Sequence, residues 1–588
     1  MHPPRSSWCA RCFECRTRPA LGFLRKWTCV ATGVAALFSA PALRGETEGA
    51  KPPVHVADFG AVPGDSQCDT QAIQEAIDTA IREGRSEVRF AAGVYDLIQT
   101  TTRKKSDAYL VIDKAKGLAL VGAVDEGGRP ATRIVRVMEL NNDTTPTTQI
   151  EVQDSEDITI RNFVLTNNPP LGSTARVLSV NREKDEVVVE ALEGLPAYDG
   201  MRAASAQVTD SAGGHLKRFG ASAQEATLTI GTAVNVFWKA VPGTEGRRLQ
   251  MTGAGWSAKV MPGDLISWHH KASEAENQTK IMRVRNFLFE NIVMPNVSNM
   301  GMLAAYCDNL VFRKVRFEPE HGNLAIGGRD GLHLSNNAGE LLVEDCYFKG
   351  LRMDPLVIRR TFGVVKAVEE NGQVTIEPAY EIPAGDVLRV WTGDEPTDLT
   401  VDSSRRVRSS VYEYRFREPL PQEMKVGSVV SFQTFSLKRG IIRNTVFEDN
   451  FGSPIVNFEE NITIEGCVFN NNSYQLKFGP NVSSGGWARN CAIRNNEFNN
   501  ISWIDIAGRK QPAFIVIHSL SSLFTNPMFN KSIGISGNRF TGDGTPSNAV
   551  AIDVRNATDV TIKDNMFQGI PKNVAIDPKT TRNINVRD

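Results

Sequence analysis

Along most of the chain, short runs in which alternate residues are apolar are followed by polar or glycine residues and then an aromatic. DITIRNFVL begins at Asp157, NLVFRKVRF at Asn309, ELLVEDCYF at Glu340, GIIRNTVF at Gly440, NITIEGCVF at Asn461, CAIRNNEF at Cys491, IGISGNRF at Ile533 and DVTIKDNMF at Asp559. A period of two is the mark of a strand with one buried face. The aromatics recur at 31 residues from Phe317 to Phe348, 22 from Phe447 to Phe469, 29 from Phe469 to Phe498 and 27 from Phe540 to Phe567. A repeat of that length predicts a solenoid in which each coil brings its Phe back to the same point, inside the tube. Asn clusters at the turns (Asn470 to Asn472, Asn495-Asn496, Asn499-Asn500) suit left-handed backbone and side-chain ladders. The expected fold is therefore all-β, a parallel β-helix.

The stretch from Gly327 to Arg360 repeats within itself. A shift of 24 residues places Asp330 on Asp354, Gly331 on Pro355, Leu332 on Leu356, His333 on Val357 and Leu334 on Ile358. In a solenoid this register stacks the two carboxylates on successive coils. His333 has the opposite parity to its leucine neighbours and is expected to face outward.

Two stretches, 171–280 and 361–437, lose the coil rhythm but keep strand-like runs, with Gly-Asp before an apolar run at Gly263-Asp264 and Gly385-Asp386. They read as two small antiparallel β-domains inserted into turns of the helix. The expected order is a leader (1–42), a cap and first coils (43–170), the first insertion, coils carrying the Asp pair (281–360), the second insertion, and the last coils (438–588). Between Val54 and Leu97 the sequence predicts a capping helix. Asp69 is its expected N-cap, Ile73, Ala76, Ile77, Ala80 and Ile81 form its apolar stripe, and Gly84 is its stop. Arg25-Lys26, the apolar run from Trp27 to Leu37 and Ala40-Pro41-Ala42 resemble an export signal, so the protein is expected to be periplasmic or secreted. That run falls short of the ~20 residues a spanning helix needs, so no stable membrane insertion is expected.

Composition narrows the partners. The whole chain carries 66 basic and 67 acidic residues, and without residues 1–42 it has 60 and 66, a balance that argues against nucleic acid. Five cysteines remain after residue 42, an odd and scattered set that predicts no disulfide framework. No metal-ligand spacing, phosphate-binding glycine loop or Ser-His-Asp set is legible, so neither metal nor cofactor is expected.

Equivalent residues on stacked coils lie about 4.8 Å apart, so Asp330 and Asp354 can both address one sugar ring. Two carboxylates at one glycosidic bond can divide the acid and base roles, and either course of substitution stays open because side-chain divergence sets the carboxyl separation. Asp before Gly or Pro is also ordinary turn chemistry; the in-register pairing is what raises these two above it. Arg329, His333, Arg352, Arg359 and Arg360 surround them in sequence, as contacts for hydroxyls or an anionic substituent, or as a solvated outer face.

Two resemblances sharpen these expectations. Asp58-Phe59-Gly60-Ala61, Gly64-Asp65, Asp69-Thr70, Ala72-Ile73-Gln74, Ala76-Ile77 and Gly93-Val94-Tyr95 resemble the N-terminal cap of the pectate-lyase-like right-handed parallel β-helix superfamily. DGLHLS, MDPLVIRR, the two insertions, GSPIVNF, NNNSYQLKFGP, NCAIRNNEF and AFIVIHS follow an order similar to the bacterial α-1,3-galactosidase family. This second resemblance implies removal of terminal α-1,3-linked galactose from oligo- or polysaccharides, with inversion and without a metal. It maps the family's acidic residues onto Asp330 and Asp354, and we add Tyr474 of NNNSYQLKFGP to the expected substrate contacts. Where the family pattern reads Asp-Asp-Pro, this chain has Met353-Asp354-Pro355. A β-helical polysaccharide lyase and a non-catalytic glycan-binding protein are the competing readings.

Overall fold

The computed structural model describes residues 51–587 except 102–105, 142–143, 210, 212–227, 230–234, 245, 271–275, 394, 451, 481–485, 501–511, 520–528 and 543–547. The expected leader, 1–42, lies outside the described residues. From Val54 onward the chain winds as a parallel β-helix. One face is an eleven-stranded parallel sheet that includes Thr279–Met282, Met302–Ala305, Leu332–Ser335, Leu356–Arg359, Ile455–Asn457 and Leu476–Phe478; a 21-stranded sheet forms the rest of the wall.

The register is the one the 24-residue shift predicts. Leu332 pairs with Leu356, His333 with Val357 and Leu334 with Ile358, and the next coil continues with Leu356 against Ile455. Leu332, Leu334, Leu356 and Ile358 all point into the core. The phenylalanines form one column: Phe317, Phe348, Phe447, Phe469, Phe498, Phe540 and Phe567 follow each other at centroid spacings of 4.6–5.3 Å with nearly parallel rings. At a neighbouring turn, Asn496 donates to Asn538 at 3.0 Å and Asn538 to Asn565 at 2.9 Å, from one coil to the next, while Asn471, Asn495 and Asn500 take positive φ. Cys346 and Cys467 are buried free thiols packed as small apolar groups beside these ladders.

The first coil's open edge is closed by the helix Thr70–Glu83. Gln74 donates to the carbonyl of Val111 and accepts from its N–H, occupying backbone groups that would otherwise template further strand pairing. Gly84 ends the helix at φ 63°. Asp69 is the N-cap residue, as expected, but it makes no side-chain cap bond: its carboxylate accepts from the N–H groups of Val62 and Asp96, tying the entry segment to the strand Gly93–Leu97.

Strands between Gly172 and His269 form a separate six-stranded antiparallel sheet, with Trp238, Trp256 and Trp268 in contact at its core. Strands between Phe362 and Phe432 close into a six-stranded barrel. The coil rhythm resumes at Thr279 and at Leu437.

Because each Phe of the column contacts the one before and the one after, Phe348→Ala or Phe469→Ala should destabilise the fold by about 3–5 kcal/mol. Urea unfolding of the two variants measures it, and a loss well under 1 kcal/mol would contradict the stacked column.

Candidate active site

Asp330 and Asp354 each stand two residues before the strand that carries them, at the turn where the chain enters the eleven-stranded face. The coils stack there through backbone bonds: the Gly331 N–H donates to the carbonyl of Asp354 at 3.1 Å. Both carboxylates lean the same way. Asp330 Oδ1 accepts from the Asp354 N–H at 3.3 Å, and Asp354 Oδ1 accepts from the Ser453 N–H at 2.7 Å, one coil further on. Asp330 is buried and Asp354 half-buried, so Asp354 is the more open of the two.

Their surroundings drive the two carboxyls apart. Burial alone would raise Asp330, but the His333 imidazole donating from Nδ1 to Oδ2 at 2.6 Å, the guanidinium of Arg329 and the Asp354 N–H outweigh it and hold Asp330 below its ordinary value. Asp354 is raised to about 7 by burial first and by the Asp330 charge second, against the opposing Ser453 N–H, Lys477 and Arg329. Asp330 is thus the member held as a carboxylate, and Asp354 the member that keeps its proton to higher pH. Like charges one rung apart cannot both ionise cheaply, and the hydrogen bonds decide which one keeps the proton.

The structure divides the sequence-derived neighbours. His333 faces outward, as its parity predicts, and is buried against Asp330. Arg359 is half-buried, with its Nε lacking a hydrogen-bond partner; burial lowers it, and its charged and phenolic surroundings are Asp330, Arg329, Tyr380 and Tyr306. Arg329 is half-buried beside Asp330. Arg352 and Arg360, expected at the substrate, are instead fully buried structural links. Arg352 reaches across to Gln207 and donates to Ser267 at 2.6 Å, so it holds the first antiparallel sheet against the coil of Asp354. Arg360 lies between Glu459 and Glu460, both at 3.0 Å, and Glu460 also binds Arg389 of the barrel at 2.9 Å. Glu459 is raised to about 8, by burial first and by the neighbouring charge of Glu460, with Arg360 opposing. Tyr474 is half-buried, two residues before Leu476 and in register with Ser453, two coils beyond Asp354.

Three contributors escaped the sequence reading. Ser453 offers its backbone N–H, and its register was legible, since Ser453-Pro454-Ile455 falls under Asp354-Pro355-Leu356. Lys477, buried with its ammonium 4.8 Å from the Phe458 ring centroid, sits in line with His333, Val357 and Val456 on the outer row of the same face. Tyr306, Tyr380 and Phe435 form an aromatic cluster beside Arg359, with centroids 5.3–5.6 Å apart. Tyr380 and Phe435 belong to the inserted stretch, and no local pattern marks their meeting with Tyr306. A separate recess of about 240 Å³, lined by Asp96, Arg133, Asn296, Glu320 and His321 among others, contains neither aspartate. No group of three or more His, Cys, Asp or Glu among the described residues is arranged to hold a metal ion, and no helix among them is long and apolar enough to cross a membrane.

The raised Asp354 has a defined thermodynamic sign. A carboxyl whose folded pKa exceeds its unfolded value adds stability that is complete below the ordinary carboxylate range and disappears as pH rises through about 7. Asp354→Asn keeps an acceptor for Ser453 and cannot ionise. Its Tm relative to wild type should therefore rise as pH goes from the ordinary carboxylate range, about 4, to about 7 and level off above that, and a constant difference across that window would exclude a raised Asp354. In Asp330→Asn, a carboxyl-carbon NMR titration should find Asp354 titrating lower than in wild type, because the repelling charge is gone.

Known proteins show the same kinship as the motifs. No family model matches the chain. It is 22% identical over 522 residues to a protein named alpha-1,3-galactosidase A from Bacteroides fragilis, covering 83% of this chain and 84% of that one. Over 281 residues it is 25% identical to a protein of the same name from Shewanella woodyi, covering 42% and 44%. Among solved structures, the A-module of a mannuronan C-5 epimerase from Azotobacter vinelandii aligns over 90% of this chain and 98% of its own at 13% identity and a TM-score of 0.38. A family 28 exopolygalacturonase from Yersinia enterocolitica aligns over 91% and 78% at 16% identity and a TM-score of 0.37. Over most of its described length, then, this chain is a parallel β-helix protein similar to bacterial proteins named alpha-1,3-galactosidase.

Proposed function

We propose that the protein is an exported glycoside hydrolase that removes terminal α-1,3-linked galactose from glycans with two carboxyl groups and no cofactor. The observation that carries this reading is the stacked pair itself: Asp330 and Asp354 one coil apart on one face, with His333 bonded to Asp330 so that Asp330 is the member pushed down and Asp354 the member pushed up. Asp354 gives its proton to the glycosidic oxygen as the C1–O bond breaks. Asp330 accepts a proton from the water whose oxygen forms the new bond to C1, and His333 holds Asp330 in place by its hydrogen bond. The galactose and its linkage come from the similarity to the named galactosidases over 83% of the chain.

Inversion is the course the family resemblance implies, and we adopt it. One observation favours a second course: both carboxylates lean toward the next coil, so two similarly directed side chains start from positions one rung apart, which suits the close pairing of double displacement with retention. Proton NMR of the first-formed sugar decides between them. β-Galactose released from an α-galactoside means inversion, and α-galactose means retention.

Asp330→Asn or Asp354→Asn should lower kcat by about 10²–10⁴-fold or more, with an unchanged circular-dichroism spectrum. In wild type, kcat/KM should fall above about pH 7 as Asp354 loses its proton, and at acid pH as Asp330 gains one. Met353→Asp restores the family's paired acid and should raise activity on α-1,3-galactosides. If wild type and all three variants bind sugar equally and cleave no α- or β-glycoside, the chain is a binding protein. An unsaturated, ultraviolet-absorbing product would instead reveal a lyase.

A further inference from the structure

The charges around Asp330 and Asp354 do not balance. Asp330, bonded to His333, is the member of the pair that favours the negative charge, and Asp354 is the member that holds a proton more readily. Arg329 and Arg359 both act on Asp330 or are acted on by it, and they are close enough to feel each other's like charge. Neither guanidinium forms an ion pair or a side-chain hydrogen bond with any of the described residues, and the Nε of Arg359 is buried without a partner. Among the described residues, the remaining ionisable groups nearby supply no counter-charge. His333 is bonded to Asp330, Tyr306 and Tyr380 face Arg359 as phenols, and Lys477 adds to the positive side. The carboxylates at the adjacent turn, Glu459 and Glu460, face Arg360 and Arg389.

An arginine left half-desolvated without an anion is costly, and its planar fork matches a two-oxygen acceptor better than it matches a lone hydroxyl. The other arginines of this segment, Arg352 and Arg360, also leave Nε without a hydrogen bond, but their terminal nitrogens donate to protein acceptors and Arg360 is ion-paired as well. The contrast singles out Arg329 and Arg359 as the two whose acceptor arrives from outside. We propose that the sugar bound over Asp330 and Asp354 carries an anionic group, a carboxylate or a sulfate ester, which Arg329 and Arg359 receive. This rests on the same site being the one that binds glycan, and it adds the charge of the substrate to that reading.

Three aryl α-glycosides test it: the galactoside, its 6-sulfate and the galacturonide. The kcat/KM for one charged substrate should exceed that for the neutral one by about tenfold or more, and the ratio should shrink as salt is added. Which charged substrate is preferred distinguishes sulfate from carboxylate. The ratio should collapse toward one in Arg359→Gln and Arg329→Gln and survive in part in Arg359→Lys, with all three variants melting as wild type does. A neutral substrate cleaved as well as both charged ones overturns the proposal. Calorimetric binding of galactose, galactose 6-sulfate and galacturonate to wild type and Arg359→Gln separates the two readings. Preferential anion binding without any turnover sinks the hydrolase and keeps the anion site. Turnover of the neutral galactoside with equal affinity for all three sugars does the reverse.

Discussion

Everything at the candidate site depends on coil-to-coil register. Backbone bonds such as Gly331 N–H to Asp354 C=O fix the rise between coils, and the continuous column from Phe317 to Phe567 makes a slip costly, because a shift of one residue would turn each ring out of the tube. The same register that stacks Leu332 on Leu356 therefore stacks Asp330 under Asp354. Two like charges are held one rung apart by a scaffold that gains its stability elsewhere.

That enforced proximity becomes chemistry through unequal surroundings. Each carboxylate accepts a backbone N–H from the coil above, so those bonds do not distinguish them. The imidazole of His333 and the nearby Arg329 do, because they favour charge on Asp330, and the charge on Asp330 then favours the proton on Asp354. His333 can play this part because its strand parity turns it away from the core, whereas Val357 at the equivalent place one coil later packs with Val456 and Phe458.

The two inserted units are fastened next to this pair by buried arginines. Arg352 joins the first sheet through Gln207 and Ser267, and Arg360 with Glu460 and Arg389 joins the barrel. Buried charges of this kind are poor sources of net stability but demanding of geometry, since a displaced partner leaves an unpaired charge in the interior. They suit a place where orientation matters more than strength. The barrel in turn brings Tyr380 and Phe435 against Tyr306, beside Arg359.

By itself the sequence determined the repeating architecture. Alternation, the Phe spacing and the turn Asn residues are local and periodic, and the 24-residue shift was enough to set Asp330 on Asp354 because a strand's register follows from which residues must face inward. Tertiary structure decided which neighbours serve the site. Arg352, Arg359 and Arg360 are alike in sequence terms, yet two find acceptors on segments 73 to 145 residues away along the chain and one finds none among the described residues. The role of Asp69 followed the same rule: a residue suited to capping its own helix was drawn to the N–H groups of Val62 and Asp96, brought near by the first coil. Long-range partners compete for polar side chains, and no local pattern records which partner wins.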